Sequence, residues 1–171
     1  MTAATPPDDP LLATLHALGA AYEHIVIDPQ YADTAAFCAH YGEPLDHAAN
    51  TLVVGSRKEP KVFAACVVLA TRRLDVNHRV RTLLGTGRLS FAREDEMRAL
   101  TGMQVGGVTP FGLPPSLPLY LDGAMMTLPF VIVGTGGRDG KLRVAPEVFT
   151  RLPGAVVIDD LSMPAPSGES G

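Results

Sequence analysis

Tryptophan is absent from this 171-residue chain, and aromatic residues make up only 6% of it. A core of ordinary size must therefore be built from Val, Leu and Ala, which the 46% hydrophobic content supplies. Cysteine is scarce: Cys38 and Cys66 stand alone in apolar surroundings, with no CxxC spacing. That excludes a disulfide scaffold and points to reduced, buried thiols. Neither cysteine is flanked by a base, which argues against a catalytic thiol. No apolar run approaches the ~20 residues of a membrane span. The N-terminal segment carries Thr, Pro and Asp but no Lys or Arg, so no secretory leader is expected. These absences lead to a cytoplasmic protein of one domain, without a membrane partner.

Recognisable catalytic spacings are missing too. His16, His24, His40, His47 and His78 show neither H-x₃-H nor H-x-E spacing, so no metal is expected. Ser56, Ser90 and Ser116 lack a G-x-S-x-G elbow. Gly134-x-Gly136 lacks the third glycine and the long helix of a dinucleotide fingerprint. No cofactor is expected.

Basic charge is missing from the first 56 residues, which hold seven acids. It is concentrated instead in residues 57–93: nine Lys and Arg against Glu59 and Asp75. A basic stretch inside a chain of net charge −4 suits a polyanion held through its phosphates.

What is abundant is glycine, and it clusters. Residues 101–112, Thr-Gly-Met-Gln-Val-Gly-Gly-Val-Thr-Pro-Phe-Gly, hold four glycines and Pro110. Glycine serves where φ must be positive or where another group comes closer than a Cβ permits, and proline stiffens the path. Met103, Val105, Val108 and Phe111 would pin the loop to a core, so it reads as a shaped surface presenting backbone amides. Gly134-Thr135-Gly136-Gly137 is a second such surface.

The pattern predicts a helix from Pro10 to Gly19, a strand over 22–27, and a helix from Thr34 to Tyr41 capped by Asp33 and stopped by Gly42. Strands over 51–54 and 62–69 flank a polar turn and make a hairpin. A helix capped by Asp75, a strand over 88–91 and a helix over 93–100 lead into the glycine loop. Short strands follow over 117–121, 130–133, 142–144 and 156–158, with a short helix over 146–152. Strands outnumber helices without strict βα alternation, which indicates an α+β (mixed α/β) fold. Residues 1–9 are expected to be a disordered tail, 10–160 the domain, and 161–171 a flexible tail.

This order of elements, with Thr101-Gly102, Gly106-Gly107 and Pro110-x-Gly112, resembles the YbaK-like aminoacyl-tRNA deacylases. They are relatives of the editing domain inserted in bacterial prolyl-tRNA synthetases. Leu74-Asp75 and Asp122 are weaker matches. The resemblance covers about residues 10–160. It implies a single compact domain with a mixed, barrel-like sheet flanked by helices, and a pocket that admits the aminoacyl end of a misacylated tRNA and hydrolyses the ester. It also implies partners: the tRNA acceptor end and an aminoacyl-tRNA synthetase, but no DNA. Hydrolysing an activated ester requires a held oxyanion and an admitted water rather than a strong nucleophile. Gly106 and Gly107 are the candidate amide donors. Thr109, Pro110, Gly112, Gly134, Thr135 and Gly136 are candidate pocket residues, together with Tyr31 and Thr34. Arg57, Lys58, Arg72, Arg73 and Arg79 are candidate tRNA contacts.

One position departs from the family. The strand entering the hairpin usually begins Lys-Thr-Leu or Lys-Ser-Leu, and that lysine is the principal polar residue of the pocket. Here the run is Asn50-Thr51-Leu52. Asn is neutral and both donates and accepts. Either Asn50 contacts the substrate of a deacylase, or Arg72 or Arg73 supplies the missing charge, or the chain binds an amino acid, nucleotide or tRNA end without turnover. A second departure is Lys141, where relatives often carry an acid; Arg138 is basic as in relatives. His47 is three residues from Asn50, and a capping or surface role suits it better than proton transfer.

Overall fold

The computed structural model describes residues 10–165, so the expected tail over 1–9 lies outside the described residues. At the centre, strand β3 (Phe63–Leu69) is buried on both faces and divides the interior by its two-residue period. Ala65, Val67 and Leu69 enter a large cluster with Leu15, Leu121, Leu142 and Phe149. Ala64, Cys66 and Val68 enter a second cluster with Val54, Val80, Leu89 and Leu161. Burial pushes the Cys66 thiol up to about 12 and raises that of Cys38, as expected of inert core sulfurs.

Strand β2 (Ala49–Ser56) runs antiparallel to β3, from Ala49 opposite Leu69 to Gly55 opposite Phe63, and this is the expected hairpin. Strand β5 (Leu89–Phe91) pairs with the far end of β2. Strands β6 (Leu119–Asp122) and β9 (Ala155–Ile158) extend the sheet in parallel beyond β3. A second, antiparallel sheet is formed by β1 (Tyr22–Val26), β8 (Gly140–Val144) and β7 (Val131–Gly134), with β8 in the middle. A parallel bridge between Ala48 and Ile132 joins the two sheets. The result is the expected mixed α/β domain.

Helix α1 (Pro10–Ala17) places Leu11 and Leu15 in the large cluster. Helix α2 (Thr34–Tyr41) buries Phe37 and Cys38 and stops at Gly42, whose φ is +70°. Helix α3 (Arg81–Leu84) is entered through a wide π turn over Val76–Val80. Helix α4 (Glu94–Thr101) begins where the Arg93 amide donates to the Glu96 carboxylate at 3.1 Å, and it ends at Gly102. Residues Pro146–Arg151 form a 3₁₀ helix.

Strands β4 (Arg72–Leu74) and β10 (Ser162–Pro164) pair with each other, so the start of the flexible tail expected over 161–171 belongs to the fold, while residues 166–171 lie outside the described residues. Leu161 is fully buried and Ser162 nearly so. The Ser162 hydroxyl donates to buried Asp122 and accepts from Arg72 Nε at 2.7 Å. At residues 161–164 the burial of Leu161 and the long-range polar contacts of Ser162 fix the backbone.

Candidate functional site

On its edge away from β3, strand β2 meets β7 only at Ala48 and meets β5 only from Val54 onward. Asn50 to Leu52 therefore have no partner strand on that side. A cavity of about 240 Å³ opens along this gap. Asp33, Thr34 and Phe37 form one wall, at the start of α2. Gly106 and Val108 of the glycine loop form another, and Gly134 and Lys141 close the back. The structure thus brings Thr34, Asn50, Gly106 and Gly134 from the sequence-derived set to one place.

Asn50 is oriented by its neighbour. The Thr34 hydroxyl donates to Asn50 Oδ1 at 2.6 Å, which leaves both Nδ2 hydrogens without an acceptor among the described residues. Asp33, expected as the cap of α2, makes no side-chain cap bond. Its carboxylate stands on the cavity rim, 3.7 Å from the Arg138 guanidinium. Thr51 adds a buried hydroxyl oxygen with no partner among the described residues.

The two glycine segments lock to each other by main chain. Gly136 N–H donates to Gly107 O, and Gln104 N–H donates to Gly136 O at 2.9 Å. A Cβ on Gly107 would run into the Gly137 carbonyl, and one on Gly134 would stand 2.6 Å from Gly107 O. Close approach of main chain explains these two glycines; Gly106 has a φ of +84°, in the left-handed region, and a Cβ there would also meet the Arg138 guanidinium. Gly107, expected as a second donor, is placed otherwise: its amide donates to Gln104 O at 3.0 Å, and Gly107 is not among the residues lining the cavity. The Gly106 amide has no such bond among the described residues.

Lys141 was not foreseen in this role. It is 5% exposed, and its Nζ donates to Ala32 O at 2.7 Å and reaches Gly106 O at 3.5 Å. The Phe37 ring centroid lies 5.6 Å away. Lys141 forms no ion pair with the described residues. Burial lowers its pKa; Cys38 and Asp33 oppose that shift, and Arg138 adds to it. The sequence signal was a lone lysine between the core residues Gly140 and Leu142. The strand order pairs β8 on both edges, and the approach to α2 and the glycine loop, which supply Ala32 O and Gly106 O, cover that position.

The remaining candidates lie elsewhere. Tyr31 stacks on His40 at 3.7 Å between ring centroids, outside the cavity lining. Thr109 is buried, its amide toward Met103 sulfur, and Pro110 and Gly112 line a separate hollow beside Leu117 and Leu152. Thr135 and Gly136 belong to the locked turn behind the wall. His47 pairs with Asp46 and stacks on Phe130. Arg72 is held by Ser162 and Asp122, and the structure places neither it nor Arg73, expected as a source of the missing charge, in the cavity lining. Arg57 and Arg73 line one surface hollow with Phe91. Arg72 and Arg79 line the adjoining one, which shares Asp75 and Met163 with the first. Lys58 lies in the exposed hairpin turn.

A shallow groove connects this basic side to the cavity. It runs past Phe91 and Val105, which are 56% and 44% exposed, and shares Thr51, Leu52, Gly106 and Val108 with the cavity wall. Among the described residues, no group of three His, Cys, Asp or Glu could hold a metal ion, and no helix is long and apolar enough to cross a membrane.

Comparison with known proteins gives the family and the fold. The family model for the aminoacyl-tRNA editing domain matches residues 28–152. Among solved structures, hypothetical protein APE2540 is 28% identical, with a TM-score of 0.75 over 86% of this chain and 95% of its own. A protein proposed as a trans-editing enzyme for prolyl tRNA synthetase is 26% identical, with a TM-score of 0.72 over 89% of this chain and 93% of its own. A scaffold carrying a computationally grafted epitope is 24% identical, with a TM-score of 0.75 over 94% of this chain and 100% of its own. At that identity the scaffold speaks for the fold alone.

Proposed function

The chain belongs to the aminoacyl-tRNA editing domain family, and on that premise we propose that it is a trans-acting cytoplasmic enzyme that hydrolyses the ester of a misacylated tRNA. The observation that carries this is the cavity itself. It is lined by residues from three elements that carry hydrogen-bond donors, Asn50 through Nδ2, Gly106 through its amide and Lys141 through Nζ, with Asp33 at the rim. Donors suit the acyl oxygen of an ester, and a carboxylate suits the α-ammonium of an aminoacyl group. At about 240 Å³ the space suits a small acyl group and rejects a large one by volume. Water attacks the acyl carbon, the ribose oxygen leaves, and it takes the proton that water loses.

The acceptor end is proposed to reach the cavity along the Phe91–Val105 groove. Terminal bases would lie on the exposed Phe91 ring, and phosphates would face Arg57 and Arg73. Neutralising about two phosphates of a single strand predicts a slope of about −1.4 for log affinity against log salt. The double substitution R57A/R73A should flatten that slope, read by filter binding of tRNA at several salt concentrations. An unchanged slope would move the tRNA path elsewhere.

Deacylation of a panel of misacylated tRNAs tests the function directly. Turnover of at least one small acyl group by the wild type is expected, falling roughly tenfold in Asn50→Ala, the size of one lost hydrogen bond to a charged group. No turnover with any member of the panel, alongside retained tRNA binding, would instead make the chain a binding module on an editing fold.

A further inference from the structure

Lysine is a costly residue to bury, and Lys141 is buried without an ion-pair partner among the described residues. Its ammonium has three hydrogens. Ala32 O takes one at 2.7 Å and Gly106 O is the nearest acceptor for a second at 3.5 Å. No third acceptor is present among the described residues, and the group stands at the cavity wall. Both carbonyls that hold it belong to the segments that form the facing walls, the approach to α2 and the glycine loop. The ammonium is therefore fixed in position before anything enters.

Its place in the sheets is equally defined. Gly134 is paired with Lys141 across β7 and β8. Asn50 and Gly134 each stand two residues beyond the Ala48–Ile132 bridge, where the two strands part around the cavity. Asn50, Gly134 and Lys141 all line that gap. Gly134 has no side chain, so the two polar groups can serve one ligand atom in the space between them.

We propose that the Lys141 ammonium is the charge that binds the acyl oxygen of the substrate, and that it is a catalytic residue of this chain. The inference rests on the ester-hydrolysis reading above. As water oxygen bonds to the acyl carbon, the carbonyl π pair moves onto oxygen, and that negative charge lies against the third N–H of Lys141 and an Nδ2 hydrogen of Asn50. When the C=O bond re-forms, the ribose oxygen leaves with its electron pair and takes up the proton released by water. Lysine enters and leaves the cycle as the ammonium. A contact that strengthens as charge develops acts on kcat more than on KM.

The test is Lys141→Met, which keeps length and apolar bulk, assayed beside wild type on the misacylated tRNA that wild type hydrolyses best. A fall in kcat of roughly 10- to 100-fold with KM changed less than threefold is expected. A kcat within threefold of wild type, in a variant with unchanged circular dichroism, would overturn the assignment and leave the editing function standing. A second measurement covers a variant that folds poorly, or a wild type without turnover. Alanine linked through an amide to 3′-amino-adenosine is titrated into wild-type protein carrying ¹³C-lysine. Saturation should shift the Lys141 Cε resonance more than those of Lys58 and Lys61. An unmoved Lys141 signal at saturation would overturn the proposal even where the editing function has itself failed.

Discussion

Gly107→Ala is expected to lower the melting temperature by about 6–12 °C and to reduce deacylation more than tenfold. A single added methyl is enough because of where it points. The Cβ would occupy the space of the Gly137 carbonyl, which is backbone and cannot rotate away. The loop must lift, and it is tied down by two main-chain hydrogen bonds, Gly136 N–H to Gly107 O and Gln104 N–H to Gly136 O. Overpacking of this kind costs about 3 kcal/mol, and each kcal/mol moves the midpoint of a domain this size by about 2–4 °C. Activity falls further than stability alone would suggest, since lifting the loop removes Gly106 from the cavity wall. Gly112→Ala is the useful comparison. Nothing lies within 4 Å of its Cβ, though its φ of +86° still imposes strain, and it lines a different hollow. That variant should lose stability while its activity at 25 °C stays within about twofold of wild type. Equal loss of activity in the two variants would show that position 107 acts only through global stability.

The second large effect is at a distance from the cavity. Asp122→Ala should destabilise the domain by about 3 kcal/mol while leaving kcat at 25 °C within about twofold of wild type. Asp122 is 1% exposed and carries three duties. It accepts from the Ser162 hydroxyl, it accepts from the Ala124 amide at 3.3 Å, and it lies 3.9 Å from Arg72 Nε. Removing the carboxylate strands a buried hydroxyl and a half-buried guanidinium on β10 and β4. Ser162→Ala removes one partner only and should cost about 1 kcal/mol. Limited proteolysis gives an independent reading, because β10 should be released first and cleavage near residue 160 should accelerate in D122A. If D122A melts within 2 °C of wild type, the polar pin is not what holds the last strand.

The hairpin, the helices around 34–41 and 94–101, and the glycine stops were legible because each is written in neighbouring residues. Gly42 and Gly102 follow their helices directly, and β2 and β3 carry continuous apolar runs on either side of a polar turn. Asn50 and Gly106 could be assigned to one cleft only through the family pattern, since 56 positions separate them in the chain. Lys141 escaped for the same reason in reverse. Its partners Ala32 and Gly106 are 109 and 35 positions away, and the residue type argued for a surface. Arg72 and Arg73 read as available for a polyanion because the residue that holds Arg72, Ser162, is 90 positions on. Cap chemistry at Asp33 misled in a small way: the residue sits at the start of α2 as expected, but its carboxylate turns to Arg138 instead of the helix amides.

The clasp between the glycine loop and the 134–137 turn joins peptide groups rather than side chains. Point substitution cannot remodel such a wall gradually, because any larger residue at Gly107 or Gly134 meets main chain. On the editing function proposed above, variation in which acyl group is accepted would then fall to the opposite face, at Thr34 and Phe37, and to the floor at Asn50 and Thr51. Proteins built on this plan would drift in substrate preference at a handful of helix and strand positions while keeping the same glycines as a fixed template.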